Sequence, residues 1–574
     1  MAGKALGLLR NTALALTMAV GVAAPVTAES LAGDYLAARQ ASFNGDFKAA
    51  AEYYGRAVAF DPGNPSLLER ATLANLSLGD VEKAVALADR LSEQGFQSQI
   101  GHMAQIAELA QSEDYQALLE RIEDQTAIGP LVDGLVKAWS VLGEGEMSGA
   151  LEAFDAVSEE RGLAPFAFYH KAMALASVGD FEGAEAIFAE NRAGSMQYTR
   201  RAVMARSEIL SQLDRQDEAV AMIDEGFPPP MDPGLAEMRQ RLVEGERLPF
   251  TYVNSPKAGI AEVFYTLAGA LANEAEDDFT LLYARIAQYL RPDHSGAILM
   301  TASLLESLDQ FDLAVAAYKQ VPRDDSSYHA AELGRAEALR SSGKVDAAVE
   351  VLEQLAGTHG GQAAVQSALG DMMRQLERYD EAVDAYDAAL ATFDDENPSL
   401  WFLHYARGIS NERLKNWGEA EADFRKALEL NPGQPQVLNY LGYSLVEQHE
   451  KLDEALSMIE QAVAAQPQSG YIIDSLGWAL YKLGRYEEAV VHMERAAELM
   501  AVDPVVNDHL GDVYWAVGRK LEAEFQWKRA LSFIDWDDAS DEVDPERIRQ
   551  KLEVGLDEVL EEEGQPPLKM ANGE

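Results

Sequence analysis

The chain contains no cysteine. No disulfide can form in it, so an oxidising compartment is tolerated without supplying a covalent staple, and neither a thiolate metal site nor a thiol nucleophile exists. Bacterial lipid anchoring through a processed terminal cysteine is excluded by the same absence. Cations are scarce as well: 47 Lys and Arg stand against 96 Asp and Glu, a formal net charge of −49. Nucleic acid is an unsuitable ligand for such a polyanion, because phosphate binding needs clustered Lys and Arg, whereas cationic or neutral protein partners fit. No G-x-x-x-x-G-K loop, G-x-S-x-G elbow or H-E-x-x-H pair occurs. The nine His are scattered, for example His170, His294, His404 and His492, and acid pairs such as Glu487-Glu488 read as solvated helix faces. The sequence therefore predicts no enzyme and no cofactor or metal.

What the chain has is a pattern that returns about every 34 residues. Leu510, Gly511, Tyr514, Gly518, Ala523, Trp527 and Ala530 form one complete copy. Leu476, Gly477, Gly484, Ala489, Met493 and Ala496 form another, and Leu369, Gly370, Ala382, Tyr386 and Ala389 a third. Gly408, Ala420, Phe424, Ala427 and Pro432 repeat it, as do Gly45, Ala50, Tyr54, Ala57 and Pro62. This is the period of tetratricopeptide repeats, helix-turn-helix hairpins whose small residues let two helices touch. Units are expected to begin near 31, 65, 98, 131, 165, 200, 261, 295, 329, 363, 401, 435, 470 and 504, those near 98, 200 and 261 being degenerate. The predicted fold is all-α, a right-handed superhelical solenoid. The small residues at places eight and twenty should lie where the hairpin's helices cross, and the aromatic at place twenty-four should fill the groove toward the next unit.

Segments outside the period complete the map. Lys4 and Arg10, the apolar run Ala13–Ala24 and Val26-Thr27-Ala28 read as a cleavable signal peptide over 1–28, which implies export. No later run is long and apolar enough to span a bilayer. An N-terminal array over 29–225 and a C-terminal array over 258–534 are separated by the Pro-rich segment 226–257, with Phe227-Pro228-Pro229-Pro230, Pro233-Gly234, Pro249 and Pro256. That segment reads either as a joint or as a long loop in one continuous stack. A capping region over 535–563 includes Pro545–Glu562 as one amphipathic helix with Ile548, Leu552, Leu556 and Leu560 on a stripe, and 564–574 reads as a disordered tail.

Function is expected on the concave face, lined by the first helix of each hairpin. In the last four units those places hold Phe402 and Tyr405, then Asn439, Tyr440 and Tyr443, then Tyr471, Asp474, Trp478 and Tyr481, then Asp508, His509, Asp512 and Trp515. Tyr and Trp bury much area at small entropy cost, and Asn can hold a peptide backbone at both donor and acceptor. Acids where a carboxylate clamp would carry Lys and Asn point to an extended segment or a folded partner with basic and apolar side chains.

The stretch Trp401–Leu531, with Val437-Leu438-Asn439-Tyr440-Leu441-Gly442-Tyr443, Asp474-Ser475-Leu476-Gly477-Trp478 and Asn507-Asp508-His509-Leu510-Gly511-Asp512, resembles the C-terminal half of envelope repeat proteins of alphaproteobacteria. More distantly, length, leader and order are similar to the outer-membrane lipoprotein adaptor that activates a carboxyl-terminal processing protease. The resemblance implies a periplasmic adaptor for such a protease and cell-wall hydrolases; the missing lipidation cysteine departs from it. A structural assembly factor for an outer-membrane or secretion complex is the alternative.

Overall fold

In the computed structural model, which describes residues 31–124, 128–228, 231–272, 274–393, 397–534, 543–565 and 568, every regular element is helical. The leader expected over 1–28 and most of the 564–574 tail lie outside these residues. Thirty-one α-helices are present among the described residues. Fourteen are the first helices of hairpins, starting at Leu31, Pro65, Gln99, Pro130, Ala164, Arg200, Pro256, Ser295, Tyr328, Ala363, Trp401, Pro435, Gly470 and Pro504. The degenerate units near 98, 200 and 261 are thus helix pairs like the rest.

One backbone feature shows why they fold alike. The turn between the two helices of a hairpin carries a residue with left-handed φ: Gly45, Gly484 and Gly518 in clear copies, but Glu113, Asp214, Asp309, Glu377 and Lys415 in others. Glycine takes that conformation freely and other residues only at a cost, so the turn is imposed by packing of the flanking helices where glycine is missing. Packing inside each hairpin differs from the sequence expectation. The bulky residue at place twenty-four does not simply face the next unit; it sits on the glycine of its own hairpin. A Cβ at Gly511 would lie 2.4 Å from the Trp527 ring, one at Gly408 2.7 Å from Phe424, and one at Gly370 2.7 Å from Tyr386. All three rings are fully buried.

The chain divides into two units, Met1–Lys344 and Val345–Glu574. The boundary is not the Pro-rich segment. Residues 226–257 are built into the first unit: Leu235, Met238 and Leu242 of helix Pro233–Val243 bury against Val203, Leu210 and Ile223. The strand-like stretch after it is strapped to helix Arg200–Gln212, with Leu248 N donating to Ser211 Oγ at 2.8 Å and Thr251 N and Oγ1 donating to Glu208 at 2.6 and 2.8 Å. Pro233 and Pro256 here open helices, and side chains of helix Arg200–Gln212 satisfy backbone N–H groups between them.

Within the first unit, helices Pro256–Leu271 and Asp277–Leu290 pack on the inner helices Pro65–Leu78, Gln99–Gln111, Pro130–Gly143 and Ala164–Ser177. Gly259 makes the close approach: a Cβ there would be 2.2 Å from the Trp139 ring. Polar groups of the inner face are used up by the same helices. Tyr169 donates to Glu262 at 2.8 Å, Tyr289 donates to Glu108 at 2.8 Å, and His170, which accepts from Trp139 Nε1 at 3.3 Å, stands 3.2 Å from Thr266 Oγ1. Burial pulls the His170 imidazole down to about 4, so it is neutral near pH 7. Arg285 donates to Ser77 O at 3.1 Å, at the carbonyl end of Pro65–Leu78. That helix end offers partial negative charge to a guanidinium that burial pulls down to about 10.

Candidate protein-binding surface

The second unit carries all the residues expected to bind. They come from four inner helices, Trp401–Arg413, Pro435–Glu447, Gly470–Lys482 and Pro504–Ala516. Pro or Gly opens three of them, and Gly408, Gly442, Gly477 and Gly511 sit at equivalent places on their hairpin-facing sides. That contact orients each helix, so residues of the opposite side fall in register along one face.

The structure splits the expected residues in two. Toward the N-terminal end is an aromatic strip. Trp401 and Tyr405 stack at 6.4 Å, Tyr405 meets Tyr440 edge-on at 6.0 Å, and Tyr440 lies 5.2 Å from the core ring Phe424. Phe402 is 42% exposed and Tyr471 is 45% exposed, while Tyr405, Tyr440 and Tyr443 are half-buried. Burial pushes the Tyr405 hydroxyl up to about 12, which keeps it a neutral donor. Two carboxylates that the sequence reading missed border the strip. Glu412 accepts from Tyr440 Oη at 3.5 Å, and Glu447 accepts from Trp478 Nε1 at 2.7 Å. Both are at the last turn of their inner helices, where nothing in the repeat pattern marks them.

Several other expected residues are structural. Asn439, Asp474, Trp478, Tyr481 and His509 are buried. Trp478 is sandwiched between Tyr481 at 4.9 Å and His509 at 3.9 Å, both nearly parallel to it. Asp474 accepts from His509 Nδ1 at 3.0 Å. Asp474, Trp478 and His509 hold one repeat to the next, at places where a ligand was expected.

At the C-terminal end the correction is larger. Asp508, Asp512 and Trp515 do not line an open groove, because the end of the chain lies on them. Lys551 Nζ donates to Asp508 and Asp512 at 2.6 Å each, and Trp515 Nε1 donates to Asp557 at 2.9 Å. Asp512 also accepts from Trp527 Nε1 at 2.9 Å. The segment expected as one helix is two, Pro545–Val554 and Leu556–Glu562, broken at Gly555 with φ +90°. A Cβ at Gly555 would lie 2.6 Å from the Trp515 ring, so the break lets backbone settle on that indole. Ile548 and Leu556 of the expected stripe are fully buried and Leu552 and Leu560 partly so. Lys551, three residues after Ile548, was a legible signal: it shares the buried stripe.

Electrostatics give His509 a measurable state. Burial opposes its charge, yet Asp474, with Asp508 and Asp512 behind, raises its pKa above 6.5. A raised folded-state value means the stabilisation is complete below about 6.5 and is lost as pH rises through the folded value. An imidazolium stacked 3.9 Å from Trp478 should quench its emission. Titration from pH 6 to 9 is therefore expected to raise indole fluorescence while lowering stability, and His509→Gln should remove both steps. A flat profile in the parent protein would show that His509 does not change its protonation state over this range.

One recess of the first unit, about 500 Å³, is lined by Arg200, Arg201, Arg291, His294 and Tyr265 among others. Its arginines are already engaged: Arg200 by Asp232, Arg201 by Glu262 and Arg291 by Asp293. Among the described residues no group of three or more His, Asp or Glu is placed to hold a metal ion. No helix among them is long and apolar enough to cross a membrane.

Helix pairs in sequence register, glycine-on-aromatic packing and an inner face built from first helices define an all-α tetratricopeptide-repeat solenoid. Tetratricopeptide repeat family models match residues 35–95, 299–363, 333–400, 401–434 and 471–500, so the chain contains tetratricopeptide repeats. It is 27% identical over 202 residues to a tetratricopeptide repeat-containing protein of Pseudomonas aeruginosa, covering 35% of this chain and 33% of that one. It is 36% identical over 88 residues to the lipoprotein NlpI homolog of Haemophilus influenzae, covering 15% of this chain and 27% of that one. The matches thus span a third or less of these relatives. Among solved structures, the Cut9–Hcn1 hetero-tetramer of the APC/C is similar over 92% of this chain at 13% identity and a TM-score of 0.37.

Proposed function

We propose that the protein is an exported scaffold that holds partner proteins on the inner face of its second unit, the first partners to test being a carboxyl-terminal processing protease and the cell-wall hydrolases it cleaves. Repeats of this kind bind proteins, and the observation that carries the reading is the aromatic strip from Trp401 to Tyr471. Its two outermost rings, Phe402 and Tyr471, stay exposed while the rings behind them are fixed by stacking. Rigid aromatic anchors in a row, bordered by Glu412 and Glu447, suit a partner segment with apolar and basic side chains. The leader-like residues Lys4 to Ala28 support export, and the short match to a lipoprotein of another bacterium supports the envelope as its place. This chain has no cysteine to carry a lipid.

The test is capture of the processing protease from envelope extract by the protein and by its Phe402→Ala/Tyr471→Ala variant. Both rings are exposed, so the variant should keep its stability within about 0.5 kcal/mol. Capture is expected to fall at least tenfold. Equal capture by the folded variant would remove the strip from consideration, and no protease on either would remove the proposed partner.

A further inference from the structure

The strongest unassigned feature is the pairing of the last repeat with the end of the chain. Asp508 and Asp512 stand four residues apart on helix Pro504–Ala516 and turn their carboxylates toward one point. Like charges at that spacing repel, and burial pushes Asp508 up, so the pair demands a cation between them. The cation is Lys551, completely buried, with Arg547 NH1 3.5 Å from the second oxygen of Asp512. Beside them Ile548 is buried against the repeat and Leu552 packs on the same core.

We propose that this face is a receptor for an amphipathic helix that presents buried cations, filled here by the chain's own segment 545–562, and that a partner helix with Arg and Lys four residues apart, each followed by an aliphatic residue, takes that segment's place. Three observations separate the segment from the repeats it covers. Its helices are only ten and seven residues long and break at Gly555, so they gain their shape from the surface they rest on. Its central contact is ionic, whereas the equivalent contacts within hairpins are a bulky apolar side chain against glycine. It is joined to the last repeat by residues 535–542, Asp-Trp-Asp-Asp-Ala-Ser-Asp-Glu, whose five acids add to the attraction of this end for basic partners. Covalent connection to the last repeat holds the segment at high effective concentration, so a partner in solution meets a site that is already filled. Recognition is by charge position: buried ion pairs discriminate between occupants more than they add affinity, since an occupant without the cation leaves two acids buried and unpaired.

The inference stands apart from the aromatic strip, and its test is independent of that reading. A specific protease site is placed within 535–542 of the full-length protein, the chain is cut, and a fluorescent peptide of residues 543–565 is added. The cut protein is expected to stay helical by circular dichroism and to exchange its fragment for the labelled peptide, binding it at least tenfold more tightly than uncut protein does. A second peptide that keeps only Arg547, Ile548, Lys551 and Leu552 and replaces the other positions should compete, and a Lys551→Glu peptide should not. The Phe402→Ala/Tyr471→Ala variant should bind as the parent does. Unfolding after the cut, no exchange in a folded cut protein, or equal binding of the Lys551→Glu peptide would each overturn the proposal.

Discussion

Gly259→Ala is expected to destabilise the first unit by about 1–3 kcal/mol, an unusual cost for the addition of one methyl group. The new Cβ would stand 2.2 Å from the ring of Trp139, which is fully buried and meets Phe154 edge-on at 5.6 Å. The indole cannot retreat without losing its hydrogen bond to His170. Trp139→Phe in the same chain should recover part of the loss, because the smaller ring makes room; the two changes are in contact and should be non-additive. Urea unfolding of the single and double variants measures this. Additive costs would mean that helix Pro256–Leu271 does not press on Trp139.

Glu262→Leu should cost more, about 3–5 kcal/mol, because it strands a buried guanidinium. Arg201 Nε and NH2 each donate to Glu262 at 2.6 Å, and Tyr169 donates to the same carboxylate. Burial pushes the Glu262 carboxyl up, but the charge of Arg201, together with His294, holds it below its ordinary 4.5. A depressed carboxylate contributes its full stability above about 4.5, and that contribution is lost as pH falls from there through the depressed folded value. The variant should therefore be less stable at pH 7 and should approach the parent in acid. Arg201→Met combined with Glu262→Leu is expected to regain most of the loss, since no charge is then left buried. If the double change is as costly as the single, shape rather than charge dominates this contact.

The fold was legible because small residues at two fixed places cannot be avoided wherever helices touch, and Gly511, Gly477 and Gly370 recur with their partners Trp527, Met493 and Tyr386. Even the degenerate units were placed, since neighbours impose the hairpin on Glu113 and Asp214 at turns that lack glycine. The surface was less legible. Position along an inner helix says which side a residue is on, not what lies across from it. Trp478 and His509 occupy ligand-facing places and stack on each other. Asp508 and Asp512 were read as acids awaiting a basic partner, and that chemistry holds, but Lys551 arrives from 39 residues beyond Asp512 in the same chain. The same long-range effect removed 226–257 as a boundary: the hydrogen bonds that its Leu248 and Thr251 donate to Ser211 and Glu208 cannot be anticipated from its prolines.

In most repeat arrays the number of copies sets how long a ligand can be. Here helices Pro256–Leu271 and Asp277–Leu290 occupy the inner face of the first unit, and the segment from Pro545 occupies that of the last repeat. The aromatic strip crosses the three inner helices from Trp401 to Lys482. At roughly 8–10 Å between helix axes that is a track of about 20 Å. An extended chain advances about 3.3 Å per residue, so the track reads some six residues at a time, a short motif rather than a whole domain.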